Sequence, residues 1–314
     1  MNSIETMNFE IDSQRNILPS LHLPKLRNPE SCIFVGSGDS YVSGLLSSYI
    51  SGFRSLSFTP SEIITFPSIA KRHEVFFVSI SGKTSANIRA AQVMNSHNIK
   101  TTAITADHNS PLAMTCKDVI RIEVPISSQL TSGTLTFSAS ALMCMGLVTK
   151  EVNTSLIPSI FLKCKKNLQE YANIIFNNCL YVFLANDFLF PCALYGKLKV
   201  NEIFGFQSNA HSIDEFFHAP LFSLRTKDCV FLFEKNMIKE NDYESKIRKM
   251  LSKLKLKVVS VRSGNRSMFQ NIMYSIIIQQ MIFASQARKM GLRDCVFIKN
   301  KGFLSLSSDV IYHT

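Results

Sequence analysis

The chain has 314 residues, of which 46% are hydrophobic and 18% charged, a composition that can bury a large core and that excludes a mainly disordered protein. Its 12 glycines and 10 prolines are too few for a collagen-like or linker-type chain. The net charge of +11 lies mostly in the second half, with a dense basic run between Lys246 and Lys257. No aromatic residue interleaves with the lysines of this run, so we interpret it as a solvated helix face and expect no nucleic-acid partner.

Short apolar runs alternate with longer helical patterns in the first half of the chain. Runs rich in Val, Ile and Phe predict buried strands at Cys32–Val35, Val75–Ser79, Thr101–Thr105 and Val119–Val124. Amphipathic or apolar helical patterns occur at Ser85–Asn95 and Leu135–Thr149. Alternation of strands and helices predicts a parallel sheet that is covered by helices on both faces.

The same alternation restarts after a polar helical segment at Phe161–Ile174. The pattern predicts strands at Leu180–Leu184, Cys229–Phe233 and Lys257–Val261, with helices at Cys192–Ile203, Asp242–Leu254 and Met268–Met290. Several glutamines and Asn271 interrupt the most apolar stretch, Met268–Ala287, which therefore predicts a buried helix rather than a membrane span. We predict an α/β protein with two tandem doubly wound, flavodoxin-like domains: residues 1–155 with an N-terminal helix, and residues 156–314 with a C-terminal tail.

The eight cysteines are far apart and form no C-x-x-C pair, which excludes a structural zinc site built from paired ligands. Most have apolar neighbours, so we expect reduced, buried thiols in a cytoplasmic protein. The first residues lack the charged start, apolar core and cleavage site of a secretory signal. We expect a cytoplasmic location and no membrane partner.

One predicted strand ends in alternating hydroxyl residues, Val78-Ser79-Ile80-Ser81-Gly82-Lys83-Thr84, directly before a predicted helix. In an open α/β sheet, ligands bind beyond the carboxyl ends of the strands, where a helix N-terminus adds partial positive charge. The turn therefore suits a phosphate group. An ordinary N-capped helix is the alternative, because Ser and Thr favour that position too.

The first predicted strand ends in a similar turn, Gly36-Ser37-Gly38-Asp39-Ser40-Tyr41. This turn lacks the third glycine of a dinucleotide fingerprint, which disfavours NAD. Two neighbouring strand ends that offer Ser40, Ser79, Ser81 and Thr84 suit a single phosphate ester.

Five segments match motifs that occur together in one family. Met7–Gln14 is similar to M-x-x-E-I-x-x-Q, Gly36–Tyr41 to G-x-G-T-S-Y, and Ser79–Thr84 to S-x-S-G-E-T. Lys197–Glu202 and Glu215–Leu221 are similar to K-L-K-E and E-L-K-H-G-P-L, and His218 follows Glu202 at the family's interval of 16 residues. The chain thus resembles the SIS (sugar isomerase) domain family, particularly the isomerase half of glutamine–fructose-6-phosphate aminotransferase and its stand-alone deaminase relatives.

The resemblance implies a phosphosugar isomerase or aminosugar-phosphate deaminase that acts on a hexose 6-phosphate of the glucosamine 6-phosphate or fructose 6-phosphate type. It implies a phosphate site made by Ser40, Ser79, Ser81 and Thr84, and further substrate contacts by Gly38, Ser132 and Lys199. Glu202 would move a proton between C1 and C2 of the sugar, and His218, from the neighbouring subunit of a homodimer, would assist ring opening. Lys299 or Lys301 would hold the open-chain sugar as a Schiff base, and we favour Lys299. Such chemistry requires no metal or redox cofactor, so none is expected.

The sequence departs from the family pattern at several positions. Ile80, Lys83 and Asp39 replace a glutamine, a glutamate and a threonine, and Ser127–Leu135 lacks the family's glutamate and lysine. No glutamine-hydrolysing domain is visible, so we expect that glutamine is not the nitrogen source on this chain. The alternative to an enzyme is a phosphosugar-binding sensor or a non-catalytic subunit. Retention of Glu202 and His218 favours catalysis, because a sensor needs no base.

Overall fold

The structure, a computed structural model, describes residues 1–174, 176–235, 243–264 and 267–313. Within these ranges the strands form two parallel sheets, one of five strands and one of four. The first sheet contains β1 (Cys32–Val35), β2 (Leu56–Phe58), β3 (Glu74–Val78), β4 (Lys100–Thr105) and β5 (Asp118–Arg121). The second contains β6 (Tyr181–Leu184), β7 (Ser208–His211), β8 (Cys229–Glu234) and β9 (Lys257–Arg262).

The α-helices between and around these strands are, in chain order, α1 (Ser3–Ile17), α2 (Asp39–Ile50), α3 (Pro60–Thr65), α4 (Ser85–Ser96), α5 (Pro111–Thr115), α6 (Leu135–Val148), α7 (Ile157–Asn167), α8 (Phe190–Phe204), α9 (Ile213–His218), α10 (Tyr243–Lys253), α11 (Met268–Lys289), α12 (Val296–Lys299) and α13 (Lys301–Tyr312). The strand orders are β2-β1-β3-β4-β5 and β7-β6-β8-β9. The first is the flavodoxin-like order, and the second repeats it without the last strand.

Helices cover both faces of the first sheet because its central strands are apolar on both sides. Ile33 and Val75 face one way and pack in a core with residues of α3, α4 and α5. Phe34 faces the other way, towards Gly44 of α2, where a Cβ atom would lie 2.7 Å from Cβ of Phe34. Continuous apolar runs such as Cys32–Val35 are typical of a buried parallel strand.

The second sheet is built in the same manner. Val182 and Val230 face a core that includes residues of α9 and α10. On the opposite face, Phe183 packs against α8 at Gly196, where an added Cβ would lie 2.5 Å from its ring. The predicted α/β class, with two parallel sheets between helices, is therefore confirmed.

The prediction lacks the short helices α3, α5, α9 and α12 and the C-terminal helix α13, and it differs from the observed elements in three further respects. Strands β2 and β7 are absent from the prediction because Leu56–Phe58 has only three residues and Ser208–His211 is polar. The expectation that Val119–Val124 is a buried strand is wrong, since β5 is a largely exposed edge strand. The helix expected at Phe161–Ile174 begins earlier, at Ile157, and ends at Asn167. Asp242, the expected start of α10, lies outside the described residues.

The chain groups into two compact units. The four-stranded unit comprises Met1–Arg15, Gln129–Ser132 and Leu156–Lys299, and the five-stranded unit comprises Asn16–Ser128, Gly133–Ser155 and Asn300–Thr314. This division differs from a single boundary at residue 155. Most of α1 belongs with the second sheet, because Ser3 N donates to Asp294 Oδ1 at 2.9 Å and Gln14 Nε2 donates to Gln280 Oε1 at 2.6 Å.

Helix α10 contains most of the basic run, and helix α11 contains the most apolar stretch of the sequence. Helix α10 buries Ile247 and Leu251 and leaves Lys246, Lys249 and Lys253 exposed, as expected of a solvated basic face. In α11, Asn271, Gln279 and Gln280 are buried, and Gln279 and Gln280 donate hydrogen bonds to Cys192 O and Tyr195 Oη of α8. Among the described residues, no helix is long and apolar enough to span a membrane.

Candidate active site

Hydrogen bonds within the five-stranded unit fix the turn that follows β3. The amide of Gly82 donates to the hydroxyl of Ser79 at 3.1 Å. From the end of the neighbouring strand β4, Thr105 Oγ1 donates to the carbonyl oxygen of Ile80 at 3.0 Å. The turn therefore has a defined conformation before any ligand binds.

Gly82 is the residue on which this conformation depends. Its φ angle is +60°, which side chains rarely adopt, and an added Cβ would lie 2.0 Å from Ser110 Oγ. Ser110 is itself held, because its hydroxyl accepts a hydrogen bond from Ala113 N at the start of α5. The turn and the start of α5 are thus packed in direct contact.

Thr84 occupies the N-cap position of α4, but its side chain makes no capping hydrogen bond. Its Oγ1 lies instead 3.3 Å from Oγ of Ser79. The alternative of an ordinary N-capped helix is therefore wrong for this residue. Since the first turn of a helix has amides without intrahelical partners, the start of α4 offers donors and partial positive charge to an anion.

The turn after β1 lies at the same edge of the sheet. Strand β1 pairs with β3 in parallel, with Val35 opposite Phe77, so the carboxyl ends of both strands are adjacent. Gly38, at φ +55°, precedes α2, and Ser40 is partly exposed in the first turn of that helix. This edge is also the point where the strand order reverses, at which ligands bind in open α/β sheets.

Helix α8 brings the next two predicted residues together in the four-stranded unit. Lys199 and Glu202 are three positions apart and therefore lie on one face of the helix. Lys199 Nζ donates to Glu202 Oε2 at 2.7 Å, and the Lys199 side chain is 1% exposed whereas that of Glu202 is 35% exposed. The ammonium group also lies 5.2 Å from the ring centroid of Tyr195. The cation is buried, and the carboxylate reaches the surface of the unit.

Ser132 completes this cluster. Its hydroxyl donates to the same oxygen, Glu202 Oε2, at 2.6 Å. Cys295 lies beside the cluster, since its thiol has a hydrogen bond to the backbone of Ser132 and interacts electrostatically with Glu202 and Lys199. Burial is the main cause that raises the pKa of the Cys295 thiol, which therefore stays protonated at neutral pH.

The remaining predicted residues are not part of this cluster. His218 is the last residue of α9, and its side chain is exposed. Lys299 ends α12 and is exposed, as is Lys301 at the start of α13. The apolar run before Lys299 is only partly buried, so it does not deliver the ammonium group into a closed pocket of its unit.

The structure thus places most of the predicted residues in two groups and leaves His218, Lys299 and Lys301 outside them. Ser79, Ser81 and Thr84 share one turn, with Ser40 at the adjacent strand end; Ser132, Lys199 and Glu202 form the other group. The position of Cys295 beside Glu202 could not be predicted, because a buried cysteine in an apolar run carries no signal of its neighbours. Among the described residues, no cluster of His, Cys, Asp and Glu could hold a metal ion.

Comparison with solved structures finds the same fold over most of the chain. Glucosamine-6-phosphate deaminase from Thermotoga maritima is 23% identical with a TM-score of 0.74, and the match covers 91% of this chain and 95% of that one. The C-terminal domain of glucosamine-fructose-6-phosphate aminotransferase from Francisella tularensis is 17% identical with a TM-score of 0.67, covering 90% and 96%. Tagatose-6-phosphate ketose/aldose isomerase from Escherichia coli is 16% identical with a TM-score of 0.63, covering 92% and 89%.

Comparison of the sequence with curated proteins returned no match. Residues 25–150, however, match the family model described as SIS domain. This region contains both hydroxyl turns, and the match confirms the resemblance that the motifs indicated. The chain therefore carries a SIS domain in residues 25–150.

Proposed function

We propose that this protein is a sugar-phosphate isomerase or aminosugar-phosphate deaminase whose substrate is a hexose 6-phosphate. The observation that carries the proposal is the environment of Glu202. One oxygen of its carboxylate accepts hydrogen bonds from Ser132 and Lys199, and the side chain is still 35% exposed. A fixed, accessible carboxylate is the group that proton transfer next to a carbonyl requires.

The phosphate group is assigned to the turn Ser79–Thr84 with Ser40. Hydroxyls of a fixed turn and the amides at the start of α4 are suitable donors for a phosphate monoester. Lys83, which is exposed in the same turn, adds a positive charge. Structures of similar fold include proteins described as a glucosamine-6-phosphate deaminase and a tagatose-6-phosphate ketose/aldose isomerase, which supports this class of substrate.

In the proposed reaction, Oε1 of Glu202 takes a proton from one of the carbons C1 and C2 of the open-chain sugar and returns it to the other. The intermediate is an enediol, and no atom is gained or lost in the isomerisation. If C2 carries an amino group, the same proton shift leaves an imine at C2. Water hydrolyses that imine to fructose 6-phosphate and ammonia, which is the deaminase reaction.

His218 and the C-terminal lysines complete the proposal. Histidine both donates and accepts protons near neutral pH, so His218 is assigned to ring opening. A Schiff base between Lys299 and the keto sugar requires an unprotonated amine, which in turn requires that the exposed side chain becomes enclosed when substrate binds. Lys301 is the alternative amine.

The test is incubation of the purified protein with glucosamine 6-phosphate and, separately, with fructose 6-phosphate plus ammonia. Mass spectrometry of the sugar phosphates, together with an ammonia assay, separates isomerase from deaminase activity. We expect turnover by the wild type and none by Glu202→Gln. Equal turnover by both proteins would show that Glu202 is not the base and would overturn the observation on which the proposal rests.

A phosphosugar-binding sensor or non-catalytic subunit is the second candidate. The exposed positions of His218 and Lys299 favour it, because neither side chain lies within the cluster around Glu202. In this case calorimetry detects binding of fructose 6-phosphate, while no product forms from any of the sugar phosphates.

A further inference from the structure

The side chain of Ser132 is buried and cannot contact a substrate. The residue is 1% exposed, and its hydroxyl donates to Glu202 Oε2 at 2.6 Å. Because a hydroxyl group has only one proton to donate, Ser132 cannot donate a second hydrogen bond to a ligand while it is bonded to Glu202. Ser132 therefore acts on Glu202 and not on a ligand.

Ser132 and Lys199 donate hydrogen bonds to the same oxygen of the Glu202 carboxylate. Ser132 Oγ and Lys199 Nζ lie 2.6 and 2.7 Å from Oε2, and both side chains are buried. Among the described residues, no hydrogen bond to Oε1 is found. The anchored oxygen fixes the plane of the carboxylate, and Oε1 is the oxygen left to accept a proton.

Ser132 is in turn held from two sides by elements of its own unit. Its neighbour Thr131 donates a long hydrogen bond to the carboxylate of Glu10 on α1, at 3.4 Å to Oε2. On the other side is Cys295, whose amide donates to Ser3 Oγ at 2.9 Å. Helix α1 thereby supports both neighbours of Ser132.

We infer that Ser132 is a positioning residue, which orients the Glu202 carboxylate for proton transfer instead of contacting the sugar. This inference rests on the proposed role of Glu202 as the base. It replaces the substrate-binding role that the family resemblance implied for Ser132. It also explains how Ser127–Leu135 can depart from the family pattern and still contribute to the site.

Two groups besides Ser132 face Glu202, and both remain when Ser132 is replaced. Lys199 is the charged neighbour, and Cys295 is a neutral one because burial keeps its thiol protonated. In Ser132→Ala the carboxylate keeps the hydrogen bond from Lys199 and loses the one from Ser132, so a single donor no longer fixes its orientation.

The kinetic test compares Ser132→Ala with Ser128→Ala, a matched change at an exposed serine of the preceding segment. For Ser132→Ala we expect kcat to fall roughly tenfold to a hundredfold and KM to stay within about twofold. Ser132→Thr, which keeps the hydroxyl, is expected to restore most of kcat. A raised KM with unchanged kcat would overturn the inference, since it would mean that Ser132 touches the substrate.

A second measurement does not depend on activity. Carbon-13 labelling of the glutamate carboxyl groups gives one NMR signal per residue, and the signal that Glu202→Gln lacks belongs to Glu202. At one fixed pH its chemical shift is expected to change in Ser132→Ala, because the carboxylate loses a hydrogen bond, and to stay unchanged in Ser128→Ala. An unmoved signal in folded Ser132→Ala would reject the inference.

The same measurement separates the inference from the proposed function. If the wild type turns over no sugar phosphate, the proposed function fails, while the carboxyl signal still decides whether Ser132 holds Glu202. Should Ser132→Ala not fold, Ser132→Cys keeps a similar volume and offers only a weak thiol donor, so the same change of the signal is expected.

Discussion

Glu202 combines two properties that usually exclude each other in a carboxylate. Anchoring by buried donors normally removes a side chain from contact with ligands, whereas exposure normally leaves it mobile. Here Lys199 and Ser132 hold one oxygen from the buried side, and the rest of the group remains accessible. The i, i+3 spacing on α8 produces this arrangement directly, because it stacks Lys199 one turn below Glu202.

Replacement of Glu202 by glutamine keeps the shape of the side chain and removes the base. We expect turnover of a hexose 6-phosphate to fall roughly 10²- to 10⁴-fold, the range attributed to general base catalysis. Calorimetric affinity for fructose 6-phosphate is expected to change by less than about twofold. Glu215→Gln, at an exposed acid on α9, is the control and should retain full activity. Normal turnover by Glu202→Gln would remove this residue from the mechanism.

At the level of elements, the turn between β3 and α4 is the part of the fold that suits an anion best. It follows a central strand and ends where a helix begins. Two hydrogen bonds fix it: Thr105 Oγ1 donates to Ile80 O, and Gly82 N donates to Ser79 Oγ. Ser85, the first residue of that helix, also donates to the Ile311 carbonyl of α13 at 2.9 Å. The C-terminal helix is thus attached beside the turn.

Removal of hydroxyls from this turn should weaken phosphate binding. We expect Ser81→Ala and Thr84→Ala each to cost roughly 1–3 kcal/mol of binding free energy for fructose 6-phosphate, as is typical for hydrogen bonds to a charged group. Isothermal titration calorimetry measures the loss. Thr65→Ala, at an exposed threonine of the same unit, should leave the affinity unchanged. Wild-type affinity in both turn variants would move the phosphate site to another part of the chain.

The conformation of the turn can be tested separately through its glycine. Gly82→Ala places a methyl group 2.0 Å from Ser110 Oγ at a φ angle of +60°. Strain at this angle alone is about 1–2 kcal/mol, so the free energy of unfolding is expected to fall by at least that amount, with loss of phosphate affinity. Gly302→Ala meets no atom within 4 Å and serves as the control. Urea denaturation compares the two; equal stability would show that the turn tolerates another conformation.

The strands and long helices were predictable because burial imposes continuous apolar runs on parallel strands and a regular pattern on helices. Cys32–Val35 and Met268–Lys289 are examples in which the sequence pattern and the observed bounds nearly coincide. Strand β7 could not be predicted, since Ser208–His211 has no apolar run and is a strand only by pairing with β6. The family motifs nominate candidate site residues one by one and stay a prediction. The hydrogen bond between Ser132 and Glu202 joins positions 70 residues apart, so no local pattern could predict it.

At the scale of the whole molecule, the cysteines belong to the core. All eight are free and buried. Burial raises the pKa of Cys32 to about 11 and that of Cys116 to about 12, so these thiols remain protonated at neutral pH. Their contribution is to packing rather than to reactivity.

A large exposed aromatic side chain lies close in sequence to His218. Phe222 is 82% exposed and follows His218 by four residues. A large exposed aromatic side chain beside a histidine with an assigned chemical role is consistent with a surface that a second copy covers. We propose a homodimer in which His218 serves the site of the partner subunit.

Mixing of two inactive variants tests this proposal. If each site takes Glu202 from one chain and His218 from the other, a mixed dimer of Glu202→Gln and His218→Ala chains contains one site with both replacements and one intact site. Random exchange at equal concentrations makes half of all dimers mixed, so the recovered activity is expected to approach about one quarter of the wild-type value. Subunits are mixed in mild denaturant, diluted and assayed with the hexose 6-phosphate that the wild type converts; each variant treated alone is the control. If exchange is verified by mass spectrometry and the mixture stays inactive, each chain keeps its own His218 and the shared site is disproved.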